Sequence, residues 1–450
     1  MTEREFAIDV VRRLREAGYQ ALWAGGCVRD EFLGLTPKDY DVATDARPEE
    51  VQRHFRHTVA VGMAFGVINV LGPRSGEKAP EVEVATFRSD VFDSDGRSDG
   101  RHPDSVVFSS AQEDALRRDF TINGMFFDPL ENKLIDYVGG REDLQARLLR
   151  AIGNPAARFA EDKLRMLRAV RIATGFDLAI EGATAEAIQD MAGEITVVSA
   201  ERIAEELRRL LVYPRRARGM DLLYDLGLVA VLLPDVLPMK GLPQGLPSAP
   251  CGDLWDHVMR VLDLLGPETS FPLALAALLH DVGKPRVQVR TPDRYTFHMH
   301  EHVGRRVAED ICLRWKLSNV ERERVLWLVE KHQFLSDARQ MRTSKLKVTL
   351  AHPGIRELLA LHRADALASG RTLDHVEYCE QLLREWTETD LNPPPLITGH
   401  DLARLRLQPG PLFKELLDAV REAQLEGTIT TSKQALDLVQ QRLEASADRG

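Results

Sequence analysis

Near the start of this 450-residue chain, a glycine pair, Gly25-Gly26, and an arginine, Arg29, precede two aspartates one residue apart, Asp39 and Asp41. Side chains at i and i+2 of a β-strand share a face, so this spacing predicts two carboxylates pointing the same way. Two hard anionic ligands suit Mg²⁺. A glycine turn lets bare backbone approach a phosphate, and an arginine fork can pair with its oxygens. These residue types fit a Mg²⁺–nucleoside triphosphate and two-metal phosphoryl or nucleotidyl transfer. Standing alone, Asp-x-Asp equally describes a solvated strand end, and Gly-Gly a plain turn.

The elements that must position these groups follow from periodicity. Residues 4–18 read as an amphipathic helix with Phe6, Val10, Val11 and Leu14 on one face and Gly18 as its stop. Strands are predicted at 21–24, 40–43, 67–71, 82–87 and 126–127, a small mixed sheet with helices around it. Glu83 alternates with apolar Val82 and Val84 and supplies a third carboxylate near the expected metals. Between 88 and 110 a stretch dense in Asp, Ser, Gly and Arg, including Asp90, Asp93, Asp95, Arg97, Arg101 and Asp104, predicts a mobile loop. From about 142 the pattern is helical. Residues 162–173 form one predicted helix, so Asp162 and Arg165, three apart, share a face. Ser199 is the expected cap of the helix at 199–211. Residues 234–252, rich in Pro and Gly, and Asn392-Pro393-Pro394-Pro395 read as breaks.

Composition bounds the class. A hydrophobic content of 44% and a charged content of 28% are ordinary for a globular protein of several domains. No apolar run reaches the ~18–20 residues of a membrane helix. The acidic, amphipathic start lacks the features of a signal peptide, and four cysteines lie far apart without a Cys-x-x-Cys pair. A cytoplasmic enzyme with no membrane partner is the expectation. The formal charge of −10 does not exclude nucleic acid, because phosphate binding depends on local patches. Such patches occur at Arg117, Arg118, Arg141, Arg147 and Arg150, and again between Arg202 and Arg218. Arginine-rich helices also form plain solvated faces.

Further motifs follow in order: Arg117-Arg118-Asp119-Phe120-Thr121-Ile122-Asn123-Gly124, then Asp136-Tyr137-Val138-Gly139-Gly140-Arg141, then the run from Gly153 to Arg171 containing Glu161-Asp162-Lys163-Leu164-Arg165. With the opening motif they closely resemble the bacterial-type (class II) tRNA nucleotidyltransferases, which build or repair the 3′-terminal CCA of tRNA, and the related bacterial poly(A) polymerases. The resemblance covers about residues 20–235. It implies an α+β chain: a polymerase-β-like nucleotidyltransferase head (1–150) with a small mixed sheet, then a mostly α-helical neck (151–235), an HD-type domain (253–385) and a tail (396–450) with a tRNA contact.

The resemblance also implies roles. Asp39 and Asp41 would hold two Mg²⁺, with Glu83 nearby. Gly25, Gly26 and Arg29 would contact phosphate, Arg118 and Asp119 the ribose, and Arg168 the nucleotide. Asp162 and Arg165 would select the base. A carboxylate accepting from an exocyclic amine, beside a guanidinium donating to a ring nitrogen, matches the Watson–Crick edges of C and A but not of U or G. An i, i+3 surface salt bridge would use the same two residues. The family usually has proline where this chain has Lys163, and proline and lysine both suit a first helical turn. The implied reaction is template-independent addition of C and/or A to a tRNA 3′ end from CTP and ATP, with no DNA partner. Poly(A) addition is the nearest alternative, and the loop at 88–110 leaves full CCA and A-only addition both open.

A second metal site is expected further on. His257, the run Leu278-Leu279-His280-Asp281-Val282-Gly283-Lys284-Pro285, and Asp365 resemble the HD-type metal phosphohydrolases. An imidazole–carboxylate pair joined by residues of other helices can hold a divalent metal and activate water. His302 and His332 are the expected ligands of a two-metal version, ahead of His298 and His300. The alternatives are a structural HD domain, or a phosphohydrolase whose head only binds RNA. Leu396-Ile397-Thr398-Gly399-His400-Asp401 and Gln408-Pro409-Gly410-Pro411 resemble a family tail unit, and a capping turn explains them as well.

Overall fold

The computed structural model describes residues 1–62, 66–73, 79–91, 105–246, 249–405, 407–408 and 410–447. Two compact units emerge, Met1–Leu237 with Arg314–Lys316, and Pro238–Leu313 with Leu317–Gly450.

In the first unit, α1 (Glu3–Glu16) opens with a capping box between Thr2 and Glu5 and buries Phe6, Ala7, Val10, Val11 and Leu14 on one face. Next come β1 (Ala21–Ala24), α2 (Gly26–Phe32), β2 (Asp41–Thr44), α3 (Pro48–His54), β3 (Thr58–Gly62), β4 (Val67–Leu71) and β5 (Glu81–Thr86). Then follow β6 (Arg88–Val91), β7 (Ser105–Phe108), α4 (Ala111–Arg117), β8 (Phe126–Asp128) and β9 (Lys133–Ile135). Seven strands form one mixed sheet in the order β3-β4-β5-β2-β1-β8-β9. Its one parallel pair is β2 with β5, in a register that sets Asp41 directly beside Glu83. Leu22, Ala24, Ala43, Phe87, Ala115 and Phe126 pack into a core beneath this part of the sheet. The expected polar loop at 88–110 has paired ends, since β6 and β7 form an antiparallel ladder from Arg88↔Phe108 to Val91↔Ser105. Asp93, Asp95, Arg97, Arg101 and Asp104 lie outside the described residues.

Helices α5 (Gly140–Gln145), α6 (Pro155–Glu161), α7 (Leu164–Phe176), α8 (Gly182–Met191), α9 (Ala200–Leu211), α10 (Arg216–Asp225) and α11 (Leu228–Leu232) complete the unit. The predicted helix at 162–173 begins later than expected. Asp162 is extended (φ −146°, ψ 108°) and terminates α6, while its Oδ1 accepts the Leu164 N–H (3.0 Å) at the start of α7. Asp162 therefore acts as a cap and shares no helix face with Arg165, because an aspartate satisfies a free helical N–H better than it extends a helix. Ser199 stands at the cap of α9 without a side-chain hydrogen bond there.

The second unit is helical: α12 (Leu254–Leu264), α13 (Phe271–Leu279), α14 (Lys284–Val287), α15 (His300–Arg314), α16 (Asn319–Lys331), α17 (Thr343–Leu350), α18 (Ile355–Ala368), α19 (Asp374–Glu385) and α20 (Glu388–Leu391). The expected linker at 234–252 carries a 3₁₀ turn, Pro234–Met239, and a strand pair, Pro243–Leu246 with Ala249–Asp253. Helix α13 is apolar all round and buried at every position but Pro272, which fixes the residues that follow it. The tail helices α21 (Gly399–Arg404), α22 (Pro411–Leu425) and α23 (Ser432–Ala447) share a core of Ile397, Leu402, Leu416, Val420, Ala435 and Val439. Thr398 and Asp401 form a capping box at the start of α21. Pro409 lies outside the described residues. Among the described residues no helix is long and apolar enough to cross a membrane.

Candidate active site

A cavity of about 840 Å³ opens in the first unit. It is lined by Gly25, Gly26 and Arg29 at the start of α2, by Asp41 and Glu83 on the sheet, by Arg118 and Asp119 after α4, and by Asp162, Arg165 and Arg168 at α7. Every transferase-site residue expected from the sequence therefore faces one space except Asp39. Asp39 sits exposed in a bend two residues before β2, so the strand argument that paired it with Asp41 does not describe it. It still stands near enough for its charge to act on Asp41 and Glu83.

Burial, Glu83 and Asp39 push the Asp41 carboxyl up to about 7. Glu83 is also raised, by partial burial and by Asp39, against the pull of Arg88. Asp41 and Glu83, register partners on β2 and β5 that both line the cavity, present carboxylate oxygens of the kind that suits Mg²⁺.

Gly25 adopts φ +71°, and a Cβ there would lie 3.0 Å from Arg118 Nη1, so glycine allows both the turn and the close guanidinium. Arg29 is held by Asp30 Oδ1 (2.9 and 2.7 Å) and Asn123 Oδ1 (2.7 Å), and packs 3.9 Å over the Phe176 ring. Arg118 donates twice to Asp114 Oδ2 (3.1 and 2.9 Å), while Arg117 pairs with Asp114 Oδ1. Asp114 is 1% exposed, and the two guanidiniums outweigh its burial and hold its carboxyl low. Sequence reasoning missed Asp114. Its signal was the spacing i, i+3 and i, i+4 to Arg117 and Arg118 on one helix.

Asp119 meets protein donors at both oxygens. Oδ2 accepts from Arg168 Nε and Nη2 (2.9 and 2.7 Å), and Oδ1 from the Phe120 N–H and Asn123 Nδ2 (2.8 and 3.1 Å). Burial works against its ionisation, but Arg168 and these donors bring it down to about 2. In this state Asp119 anchors α7 to the sheet domain through Arg168. Arg165 donates to Glu161 Oε2 (2.6 Å), and Arg202 of α9 donates to Asp162 Oδ2 (2.9 Å).

The second unit gathers a different donor set. Nitrogen and oxygen atoms of His257, His280 and Asp365 lie within 4.8 Å of one another, as do those of Asp281, His300 and His332. His257 Nε2 is 3.2 Å from Asp365 Oδ1 and 3.8 Å from Asp281 Oδ2. Asp281 Oδ1 lies 3.3 Å from His300 Nε2 and 3.5 Å from His332 Nε2. His300, which sequence reasoning ranked lower, occupies the place expected for His302. His302 is one turn-fraction further along α15 and points to solvent, its side chain 49% exposed.

Nδ1 of His280, His300 and His332 lies 2.7–2.8 Å from the Ala277, Phe297 and Val329 carbonyls, which accept its proton and turn each Nε2 inward. His280 Nε2 and Asp281 Oδ1 are buried without a hydrogen-bond partner. Two orphaned buried ligand atoms facing each other's neighbours fit a divalent metal. Gly283 permits the turn, since a Cβ there would stand 2.1 Å from the His300 carbonyl oxygen. Lys284 Nζ (2.6 Å) then reaches Asp281 Oδ2, and Arg371 holds Asp365 Oδ2 at 2.6 Å. Although full burial raises Asp281, Lys284 and His280 keep its carboxyl well below the usual range.

Known families match three stretches of the chain. The Poly A polymerase head domain family matches residues 21–150, the family described as a probable RNA and SrmB-binding site of polymerase A matches 177–239, and the HD domain family matches 254–370. The CCA-adding enzyme of Limosilactobacillus reuteri is 41% identical over 48% of this chain and 51% of its own. Poly(A) polymerase I of Salmonella typhimurium is 42% identical over 46% of this chain and 45% of its own. The chain thus spans about half the length of the curated relatives it matches. The crystal structure of the Bacillus stearothermophilus CCA-adding enzyme in complex with CTP superimposes with a TM-score of 0.75 at 26% identity, covering 100% of both chains. The chain therefore carries a Poly A polymerase head domain, the associated polymerase A RNA-binding region and an HD domain, and shares its fold with a CCA-adding enzyme.

Proposed function

We propose that this chain is a template-independent tRNA nucleotidyltransferase that adds C and A to tRNA 3′ ends from CTP and ATP in the cytoplasm. The observation that carries the reading is the single cavity onto which Asp41, Glu83, Arg118, Asp162 and Arg165 all open. On this reading residues 1–150 perform transfer, 151–235 select the nucleotide, 253–385 form the HD region and 396–450 contact tRNA.

Asp39, Asp41 and Glu83 would hold two Mg²⁺, which when bound supply the charge that activates an RNA 3′-hydroxyl and neutralises a triphosphate. The protein's own groups then orient the reactants. Gly25 and Gly26 leave room for phosphate beside the guanidinium of Arg118. Asp114 fixes that guanidinium, and Asp119 fixes Arg168, so neither arginine must be ordered when substrate arrives. Asp162 accepts from the exocyclic amine of C or A while Arg165 donates to the ring nitrogen, and the protein stands in for a template.

The test is direct. Incubating the purified chain with tRNA lacking its CCA end and each nucleotide, then sequencing the products, should reveal C and A at the 3′ end and no U or G. A long A tract without C would favour the poly(A) alternative, and no incorporation would overturn the reading.

The buried imidazole–carboxylate cluster supports a second reading for 253–385, a divalent-metal phosphohydrolase centre. Release of phosphate from a phosphomonoester, or ring opening of a cyclic phosphodiester to a phosphomonoester, lost in Asp281→Asn, tests it.

A further inference from the structure

The turn that carries Asp162 is two residues long and belongs to no helix. Asp162 is extended after α6, and Lys163 (φ −61°, ψ −25°) caps α7. Inside the turn the Arg165 N–H donates to the Asp162 carbonyl (3.1 Å) and the Leu164 N–H to Asp162 Oδ1 (3.0 Å), but neither helix runs through it, so contacts from outside must hold the turn as a whole against its neighbours. Two ion pairs do so. Arg202 reaches Asp162, as described, and Lys163 Nζ lies 2.8 Å from Glu194 Oε2 in the 3₁₀ turn Ala192–Val197. The same ammonium donates to the Ala160 carbonyl (3.3 Å), bracing the end of α6. Glu194 is 52% exposed and the Lys163 side chain 15%, so this pair is open to screening on its acidic side.

We propose that the Lys163–Glu194 ion pair clamps the α6–α7 turn and sets the alignment of Asp162 with Arg165, making nucleotide discrimination dependent on ionic strength. The inference rests on the selecting role proposed above for Asp162 and Arg165. Lys163 and Glu194 are positioning residues, since neither lines the cavity. A base edge is read by two hydrogen bonds at once, and each weakens steeply when its partner is displaced from the aligned geometry.

The backbone offers a sharp control. Lys163 already has the φ of a proline ring, and Asp162 has the extended conformation favoured before proline. Lys163→Pro should therefore fix the same turn covalently, without charge.

The experiment measures kcat/KM for CTP and for UTP on one tRNA lacking its CCA end, at about 0.05 M and about 0.5 M salt. The ratio of the two values cancels the salt dependence of RNA binding. In the wild-type chain the preference for C over U should fall about twofold to fivefold at high salt. Lys163→Met and Glu194→Gln should show the lowered preference already at low salt, with a double variant no worse than either. Lys163→Pro should keep the full preference at both salts, and Glu194→Gln should be silent in that background. Single variants with the wild-type ratio, or a salt-independent wild-type ratio, would overturn the clamp while leaving the transfer reading intact. A wild-type chain that adds no C at all would overturn the transfer reading on which the clamp rests.

Discussion

The transferase cavity and the HD centre both gather acidic and basic side chains, yet they are built on opposite plans. In the cavity the candidate metal donors are carboxylate oxygens, Asp41 and Glu83 on two central strands of the sheet, with the exposed Asp39 before them. The cations around them are already partnered, Arg118 by Asp114 and Arg168 by Asp119. In the HD centre the donors are mostly imidazole nitrogens, locked by backbone carbonyls, with His280 Nε2 and Asp281 Oδ1 left orphaned. An open all-oxygen set suits an exchangeable Mg²⁺ that enters with nucleotide, whereas a closed nitrogen-rich set suits a retained transition metal. The difference teaches that preorganisation falls on the cations at one site and on the metal ligands at the other.

The largest expected effect separates the two. Asp41→Asn should lower nucleotide incorporation by about 10³-fold or more and leave divalent-metal retention by the HD centre unchanged. Retained incorporation would show that the carboxylate pair is not the transfer site. The reciprocal change, Asp281→Asn, should weaken binding of a transition metal at least about 10–100-fold, read by metal titration, with nucleotide incorporation unaffected. Loss of both properties in either variant would merge what the comparison keeps apart.

These residues differ in how plainly the sequence announced them. Gly25, Asp41 and Glu83 were legible because strand alternation and a glycine turn are local signals. Asp39 was misplaced because β2 begins only at Asp41, so the i, i+2 strand pairing does not reach it. Asp162 looked helical, but its carboxylate caps the Leu164 N–H instead, a choice between neighbours that periodicity does not record. His300 and His302 occupy adjacent parts of one helix, and only the packing of α15 against the Gly283 turn decides which faces inward. Asp114 escaped notice because a lone aspartate on a short helix reads as surface.

Smaller effects sharpen the picture of preorganised cations. Asp114→Ala leaves Arg117 and Arg118 without their shared carboxylate and should lower unfolding free energy by about 2–4 kcal/mol in urea denaturation, while raising KM for nucleotide. An unchanged KM would mean that Arg118 is ordered by substrate rather than beforehand. The smallest effect is a pH dependence of the metal-free chain. Because the folded Asp41 carboxyl is raised to about 7, its contribution to stability is complete below the ordinary carboxylate range and is lost as pH rises through 7. Asp41→Asn should therefore raise the metal-free Tm at pH 8 and flatten its fall between pH 4 and 8, and added Mg²⁺ should stabilise the wild type more than the variant. A lower Tm for the variant at pH 8 would contradict the assignment of burial and repulsion to Asp41.

The most direct test of the central claim, that side chains on α7 and its preceding turn choose the nucleotide while the sheet carboxylates transfer it, is nucleotide selection by Asp162→Ala. In a single-turnover assay on tRNA lacking its CCA end, with all four triphosphates present, the variant should still transfer a nucleotide and should admit U and G alongside C. A variant that retains strict addition of C would place selection elsewhere and contradict the account.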